Sequence, residues 1–174
     1  ASATPATDPS PWPALPTIPN GPDKGLNNGS VLASSVARTP QDQAAVAAYV
    51  AYWKFVAKAG YETKVDKTAL AKVAALSAAT NIERYAKALR SNGNRTIGWT
   101  AIHVTKIESG AGGQLLQACL DNASFDVRAS SGKPVEKPVP AFDATGGVQT
   151  VKGRLVVTFS STKNRTTRCP GGNG

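Results

Sequence analysis

Apolar side chains recur at helical spacing over residues 46–57 of this chain. They are separated by steps of four, three and four, which places them on one face of a helix. Thr39 suits the helix N-cap, Pro40 suits the first helical position, and Gly60 suits a left-handed C-terminal cap. The pattern predicts a helix from Pro40 to about Gly60 whose apolar stripe faces a core. This stripe consists of Val46, Val50, Trp53 and Ala57.

Two further helices are predicted between this helix and Gly93. Asp66 can cap a short helix that runs from Lys67 to about Leu76. Thr80 and Glu83 then form a capping-box pattern, which opens a third helix that ends at Gly93. The buried side of the third helix is predicted to consist of Ile82, Tyr85, Ala86 and Leu89.

Beyond Gly93 the apolar period changes to two, which is typical of strands. Glycine-rich turns separate the strands, and the segment that ends at Gly147 is predicted to be irregular. Three helices followed by long antiparallel strands predict an α+β fold, with the N-terminal helices packed into a strongly curved antiparallel sheet that forms an open cone. The predicted strands run from Ile97 to Ile107, Leu115 to Asp121, Gln149 to Phe159, and Arg165 to Cys169.

Prolines and small residues dominate the N-terminal part of the chain. The whole chain has 174 residues, enough for one domain with a sizeable core. Prolines recur as far as Pro22, and such a segment buries too little apolar surface to order itself. We therefore predict a linker over residues 1–36, a folded domain over residues 37–169 and a flexible tail over residues 170–174. Trp12 either docks on the domain or stays exposed.

The sulfur-containing residues bear on the cellular compartment. The chain has no methionine, even at position 1, which indicates that an export signal has been removed; the alternative is loss of a tag or initiator methionine alone. In an exported protein Cys119 and Cys169 would pair and fix the C-terminus to a central strand. Otherwise they are two unrelated thiols. Two cysteines are too few for a zinc site, and no metal or cofactor is predicted.

The net charge of +9 favours anionic partners such as nucleic acid, anionic lipid or a cell-wall polymer. The basic residues are scattered, however, and scattered charge is typical of a solvated surface. Nucleic acid is disfavoured because the aromatic residues lie on predicted helices rather than between basic residues on strands. The most basic region contains Lys64, Lys67, Lys72, Arg84, Lys87, Arg90 and Arg95.

Short motifs on the first helix and the second strand carry a family resemblance. They are the pair Tyr52-Trp53, the run Ala118-Cys119-Leu120-Asp121, and the following Ser124, Val127 and Gly132-Lys133. With them, residues 40–169 resemble actinobacterial secreted lipoproteins with a cystatin-like cone, a fold shared with nuclear transport factor two and SnoaL-like polyketide cyclases. The resemblance implies a lipidated cysteine ahead of the linker, and hence a membrane tether on the outer face of the cell membrane. The C-terminal strand departs from the expected Gly-Gly-Trp-Arg-Val type.

The candidate catalytic chemistry is sparse. His103 is the one histidine, and histidine is a residue type that can act as a base near neutral pH. Cone-fold enzymes of the cyclase or isomerase kind use a histidine or an aspartate inside the cone, which implies His103 and Asp121, with Tyr52 or Tyr85 as proton donors. A strand histidine is more often structural, and the chain has no phosphate loop, nucleophile elbow or metal-ligand cluster. The candidate pocket residues are Tyr49, Tyr52, Trp53, Tyr85, Trp99 and His103.

Three functional hypotheses follow from these features. The first is a non-enzymatic cell-envelope domain that binds a small hydrophobic ligand or an envelope protein through the cone pocket or a basic surface. The second is a small cone-fold enzyme that uses His103 and Asp121. The third is a binder of anionic polymers.

Overall fold

The structure, a computed structural model, describes residues 28–170 of the chain. Trp12, the predicted tether and residues 171–174 of the predicted tail lie outside this range. Within it, no helix is both long and apolar enough to cross a bilayer. The elements in chain order are β1 (Asn28–Ser35), α1 (Pro40–Glu62), α2 (Lys67–Leu70), α3 (Leu76–Ser91), β2 (Asn94–Gly110), β3 (Gly113–Arg128), β4 (Ala141–Val151) and β5 (Arg154–Arg165).

The strands form one five-stranded sheet in the order β1-β2-β3-β4-β5, and the helices pack against it. Strands β2 to β5 pair with one another in the antiparallel direction. The predicted α+β class is therefore confirmed. The prediction of a wholly antiparallel sheet is wrong, because β1 pairs with β2 in the parallel direction, from Asn28 opposite Gly98 to Ser35 opposite Val104.

Strand β1 also corrects the predicted domain boundary, because residues 28–35 had been assigned to the linker. Side-chain contacts hold this strand in addition to its backbone hydrogen bonds with β2. Ser30 is buried, and its hydroxyl donates a hydrogen bond to the Trp53 carbonyl on α1 over 3.1 Å. The Trp99 ring covers Gly29 so closely that a Cβ there would lie 2.7 Å from Trp99 Cζ3. The folded part of the chain therefore begins at or before Asn28.

The core lies between α1, α3 and one face of the sheet. Tyr49 on α1 is fully buried and packs among residues of the sheet such as Leu116 and Val148. Its ring lies directly against the backbone of Gly146 on β4, where the Cβ of any other residue would collide with it. A glycine at this position therefore allows the helix to approach the sheet closely.

The helix boundaries differ from the predicted ones in informative ways. Helix α1 continues two residues beyond Gly60 to Glu62, and its C-cap Thr63 adopts the left-handed conformation at φ 52°. Helix α2 is a single turn that ends at Leu70. Helix α3 begins at Leu76, so the predicted start at Thr80 is wrong, and the Thr80 hydroxyl donates to the Leu76 carbonyl instead.

The early start of α3 has a tertiary cause. The Val157 backbone N–H on β5 donates to the Val73 carbonyl, and the Ala75 N–H donates to the Val157 carbonyl. These two hydrogen bonds attach residues 73–75 to the outer edge of β5. The next residue can turn directly into the helix, and no side chain caps it at Ala75. Local sequence patterns carry no information about this contact.

The strand boundaries predicted for the C-terminal half of the sheet are wrong. The segment predicted to be irregular includes the first part of β4, and the predicted strand from Gln149 to Phe159 is divided by a tight turn. Lys152 and Gly153 both have positive φ at this turn, the conformation that joins twisted antiparallel strands. The predicted last strand is also wrong, since β5 ends at Arg165 and Cys169 lies beyond it.

The predicted disulfide is confirmed. Cys119 on β3 and Cys169 form a bridge with a Cα–Cα distance of 5.8 Å. Both cysteines are buried, and they pack with Ala141 of β4 on the sheet face that points away from the helices. The bridge attaches the segment after β5 to the middle of the sheet.

Removal of the bridge should destabilise the protein strongly. The two cysteines are 50 residues apart, and the loop-entropy relation gives about 4 kcal/mol for a loop of that length. The double substitution Cys119→Ala with Cys169→Ala should lower the free energy of unfolding by about this amount in urea titrations. Reductant should destabilise the parent protein and leave the double variant unchanged. A loss below about 1 kcal/mol would contradict the prediction.

Candidate functional site

A cavity of about 330 Å³ lies between α1, α3 and the helix-facing side of the sheet. This volume is near the lower end of the range for small-molecule pockets. Four aromatic rings line it, those of Tyr52, Trp53, Tyr85 and Phe142. Its hydroxyl groups come from Ser30, Thr96, Thr100, Ser124, Ser160 and Thr162, on strands β1, β2, β3 and β5. None of the lining residues in the described part of the chain has a charged side chain.

Helix α1 supplies the aromatic side of the cavity. Tyr52 and Trp53 meet edge to face, with their ring centroids 5.4 Å apart, and Val56 follows one turn later. Tyr49 lies one turn earlier and packs edge-on against Trp53, with centroids 6.1 Å apart. Edge-to-face contacts of this kind fix the ring orientations. The aromatic side of the cavity is therefore rigid before any ligand enters.

Tyr49 lies behind the cavity rather than in its lining. Burial raises the pKa of its phenol well above the usual range, so the group stays neutral. Its hydroxyl and the buried Trp53 indole N–H approach each other without reaching good hydrogen-bond geometry. Burial also raises the pKa of Tyr52, although a hydrogen bond with Ser160 opposes this effect. Neither phenol is poised to release a proton near neutral pH.

Tyr85 begins a chain of hydrogen bonds that runs from the cavity to a carboxylate. The Thr96 hydroxyl donates to Asp126 Oδ1 over 2.5 Å. Because that hydroxyl has a single hydrogen, the short hydrogen bond between Tyr85 and Thr96 has the tyrosine as donor. Burial, reinforced by the charge of Asp126 and opposed by the bond to Thr96, raises the pKa of Tyr85 to about 12.

Gly60 makes room for this chain. Its position near the end of α1 suggested a helix cap, but the residue lies inside the helix and is buried. A Cβ at Gly60 would lie 2.8 Å from Tyr85 Oη and 3.1 Å from Thr96 Cβ. The glycine is therefore explained by close packing of α1 against Tyr85 rather than by helix termination.

Asn122 is a structural residue of the cavity rather than a free ligand contact. Its amide nitrogen donates to the Val139 carbonyl over 2.8 Å and to the Ser124 carbonyl over 3.1 Å. Its oxygen accepts from the Ser124 backbone N–H and hydroxyl. These four hydrogen bonds use both amide hydrogens and both lone pairs of the oxygen. Asn122 therefore holds the segment before β4 against β3.

His103 and Asp121 lie on the opposite face of the sheet. Side chains alternate along a strand, and the neighbours Ile102 and Leu120 belong to the core beneath the helices. His103 Nε2 is 3.6 Å from Asp121 Oδ2, and its Nδ1 is 2.9 Å from the Ser34 hydroxyl. Neither His103 nor Asp121 lines the cavity. The structure thus does not bring them together with Tyr52 and Tyr85.

Asp121 is committed to the segment after β5. Its Oδ1 accepts a hydrogen bond from the Cys169 backbone N–H over 2.9 Å and is 3.4 Å from Arg168 Nε. The side chain is only 5 % exposed, so its charge requires such partners. The carboxylate and the disulfide together hold the same segment against β3, which gives Asp121 a structural role that needs no catalysis.

Sequence reasoning located part of the cavity. Tyr52, Trp53 and Tyr85 line it as predicted, while Tyr49 lies behind it and Trp99 and His103 are not among its lining residues. Phe142 was missed because its segment was predicted to be irregular. The pairing of Thr96 with Asp126 was missed because it depends on the β2–β3 register, in which these two residues are opposite each other. In the described residues, no cluster of three His, Cys, Asp or Glu side chains could hold a metal ion.

Comparisons with known proteins bear on the fold alone. The crystal structure of the intermembrane space region of the chloroplast protein ARC6 is similar, with a TM-score of 0.59 and 14 % sequence identity. The match covers 74 % of this chain and 100 % of that one. No protein-family model and no curated protein matches the sequence.

The role assigned to Asp121 can be tested by an isosteric change. Asp121→Asn removes the charge that faces the Cys169 N–H and Arg168, and should lower the free energy of unfolding by about 2 kcal/mol. The matched control is Asp143→Asn, since Asp143 forms an ion pair with Arg165 but is 56 % exposed. That control should change stability by less than about 0.5 kcal/mol. Equal effects in denaturant titrations would overturn the assignment.

The raised pKa of Tyr85 predicts a specific loss of stability in alkali. The folded pKa of about 12 exceeds the ordinary value of 10.0, so the unfolded chain releases this proton first. Its stabilising contribution is complete below pH 10 and is lost as the pH rises through about 12. The parent protein should therefore lose stability more steeply than Tyr85→Phe over this window in denaturant titrations. Parallel curves would contradict the raised pKa.

Proposed function

We propose that this chain is a non-enzymatic binding domain that holds a small, uncharged and largely apolar ligand in the cavity beneath α1. The observation that carries the proposal is the composition of the cavity surface, to which the described residues contribute four aromatic rings, six serines and threonines, and no charged side chain. A lining of aromatic groups with a few polar groups is typical of small-molecule sites. A charged ligand would lose its hydration there without gaining a counter-ion.

The setting of this domain is part of the same proposal. We infer a cystatin-like cone on the grounds that two long helices pack on one face of a five-stranded sheet, and the likeness to the ARC6 region is consistent with that fold. The disulfide supports an extracytoplasmic location, since such bridges persist in oxidising compartments. A lipidated tether ahead of residue 28 would place the cavity at the outer face of the cell membrane.

The other two hypotheses rest on different parts of the molecule. An enzyme that uses His103 and Asp121 would need its substrate on the outer face of the sheet, where Asp121 is already bound to the segment after β5. Binding of an anionic polymer would involve the exposed basic side chains of α3, Arg84, Lys87 and Arg90. Both have less support than the cavity, because neither is associated with an enclosed site.

Filling the cavity should abolish binding of an uncharged apolar dye. The fluorescent dye N-phenyl-1-naphthylamine should bind the full chain with a rise in emission. Val56→Trp places a large ring at a lining position and should weaken dye binding about tenfold or more, because the ring occupies the same space.

The control is Val135→Trp, which adds the same ring at an exposed position outside the cavity. This variant should bind the dye like the parent protein. Thermal unfolding of all three proteins shows whether each is folded at the assay temperature. Failure of the folded parent protein to bind the dye, or equal binding by Val56→Trp, would overturn the proposed function.

A further inference from the structure

We propose that the cavity selects ligands that carry a hydrogen-bond donor, a hydroxyl or N–H group on an uncharged apolar ring, and that Tyr85 is the residue that accepts this hydrogen. The inference rests on the proposed function and specifies its ligand class. It follows from the direction in which hydrogens are arranged along the chain formed by Tyr85, Thr96 and Asp126.

The Asp126 carboxylate sets the direction of the hydrogen bonds that join Tyr85, Thr96 and Asp126. An ionised carboxylate can only accept hydrogen bonds, and Asp126 Oδ1 accepts from the Thr96 hydroxyl over 2.5 Å. Thr96 therefore has no hydrogen left for Tyr85 and must accept the tyrosine's hydrogen. The Tyr85 hydroxyl hydrogen is directed at Thr96 Oγ1, so it is not available to a ligand. What Tyr85 offers a ligand is the lone-pair side of its oxygen.

The same series of hydrogen bonds also makes the Tyr85 oxygen a stronger acceptor. Hydrogen bonds in series polarise one another, so a carboxylate two steps away increases the electron density on the tyrosine oxygen. Tyr85 and Thr96 both line the cavity, whereas Asp126 does not. A ligand therefore senses the charge of Asp126 through two hydroxyl groups without contacting it. Two buried polar side chains of the lining are already engaged within the protein. Asn122 uses its amide in four hydrogen bonds, and the Ser30 hydroxyl donates to the Trp53 carbonyl.

The surrounding surface specifies the rest of the ligand. The rings of Tyr52, Trp53 and Phe142 present apolar surface, which favours a flat apolar ring. Within the described residues the lining offers no charged group to balance an ionised ligand. An aromatic or alicyclic alcohol, phenol or amide N–H compound therefore fits, and a carboxylate or ammonium compound does not.

A pair of matched competitors tests the inference. 2-Naphthol carries the donor, while 2-methoxynaphthalene has the same ring and oxygen without the hydrogen. In displacement of N-phenyl-1-naphthylamine from the full chain at neutral pH, 2-naphthol should act at about tenfold lower concentration. In Tyr85→Phe this preference should fall to about twofold or less.

Two further variants separate the direction of the chain from the mere presence of a hydroxyl. Asp126→Asn keeps the Tyr85 hydroxyl but replaces a carboxylate, which can only accept, by an uncharged amide that can also donate to Thr96. The direction of the hydrogen bonds is then no longer fixed, so the donor preference should fall there as well. Tyr61→Phe makes the same chemical change as Tyr85→Phe outside the cavity, where Tyr61 packs against Arg95, and should keep the full preference.

The outcomes distinguish this inference from the function on which it rests. If the dye binds and both competitors displace it equally, or if the preference survives in Tyr85→Phe, the proposed selection of hydrogen-bond donors by Tyr85 is wrong and the binding function stands. If the dye does not bind the folded parent protein, the proposed function fails and this inference fails with it. A preference that is lost in both Tyr85→Phe and Asp126→Asn supports the proposal.

Discussion

The contact between the Tyr49 ring and the backbone of Gly146 determines how α1 lies on the sheet. The middle of the helix is held close there, with large side chains such as Ile102 and Leu116 filling the interface. One turn further on, the sheet presents small groups instead, including Gly98 and Thr100. A helix held at a fixed height above small residues leaves space that its own side chains do not fill. The cavity is therefore a consequence of where the large and small side chains of the sheet lie.

Alternation along the strands separates charge from the cavity. On β3 the residues Leu120, Asn122 and Ser124 face the helices, while Cys119 and Asp121 face the other way. The outer face can therefore hold ionisable groups and the disulfide without affecting the interior. Asp126 is an even number of residues from Leu120 and therefore belongs to the inner face as well. Its carboxylate accepts a hydrogen bond from the Thr96 hydroxyl, which lies between it and the cavity. The charge of Asp126 therefore acts on the cavity through a hydroxyl group rather than by direct contact.

The parts that could be predicted from sequence are those with a local period or a simple chemical pairing. Trp53 and Tyr85 follow from helical spacing, Tyr52 was recognised as the aromatic neighbour of Trp53, and the cysteines had only each other as partners. Strand β1 could not be predicted, because residues 28–35 are mostly small and polar and their partner β2 lies more than sixty residues later. The same holds for the start of α3, which depends on hydrogen bonds to Val157. Contacts between distant segments override local signals in both cases.

The protonation chemistry of the cavity supports the proposal of a binding domain over that of an enzyme. General acid–base catalysis needs a group that touches the ligand and exchanges its proton near the working pH. The phenol of Tyr85 has its pKa raised to about 12, and burial also raises the pKa of Tyr52. The one carboxylate associated with the cavity reaches it through Thr96 and Tyr85, so it can orient hydrogen bonds but has no direct contact with a ligand. In the proposal, the hydrogen bonds that strengthen Tyr85 as an acceptor also keep the Asp126 carboxylate from exchanging a proton with the ligand directly.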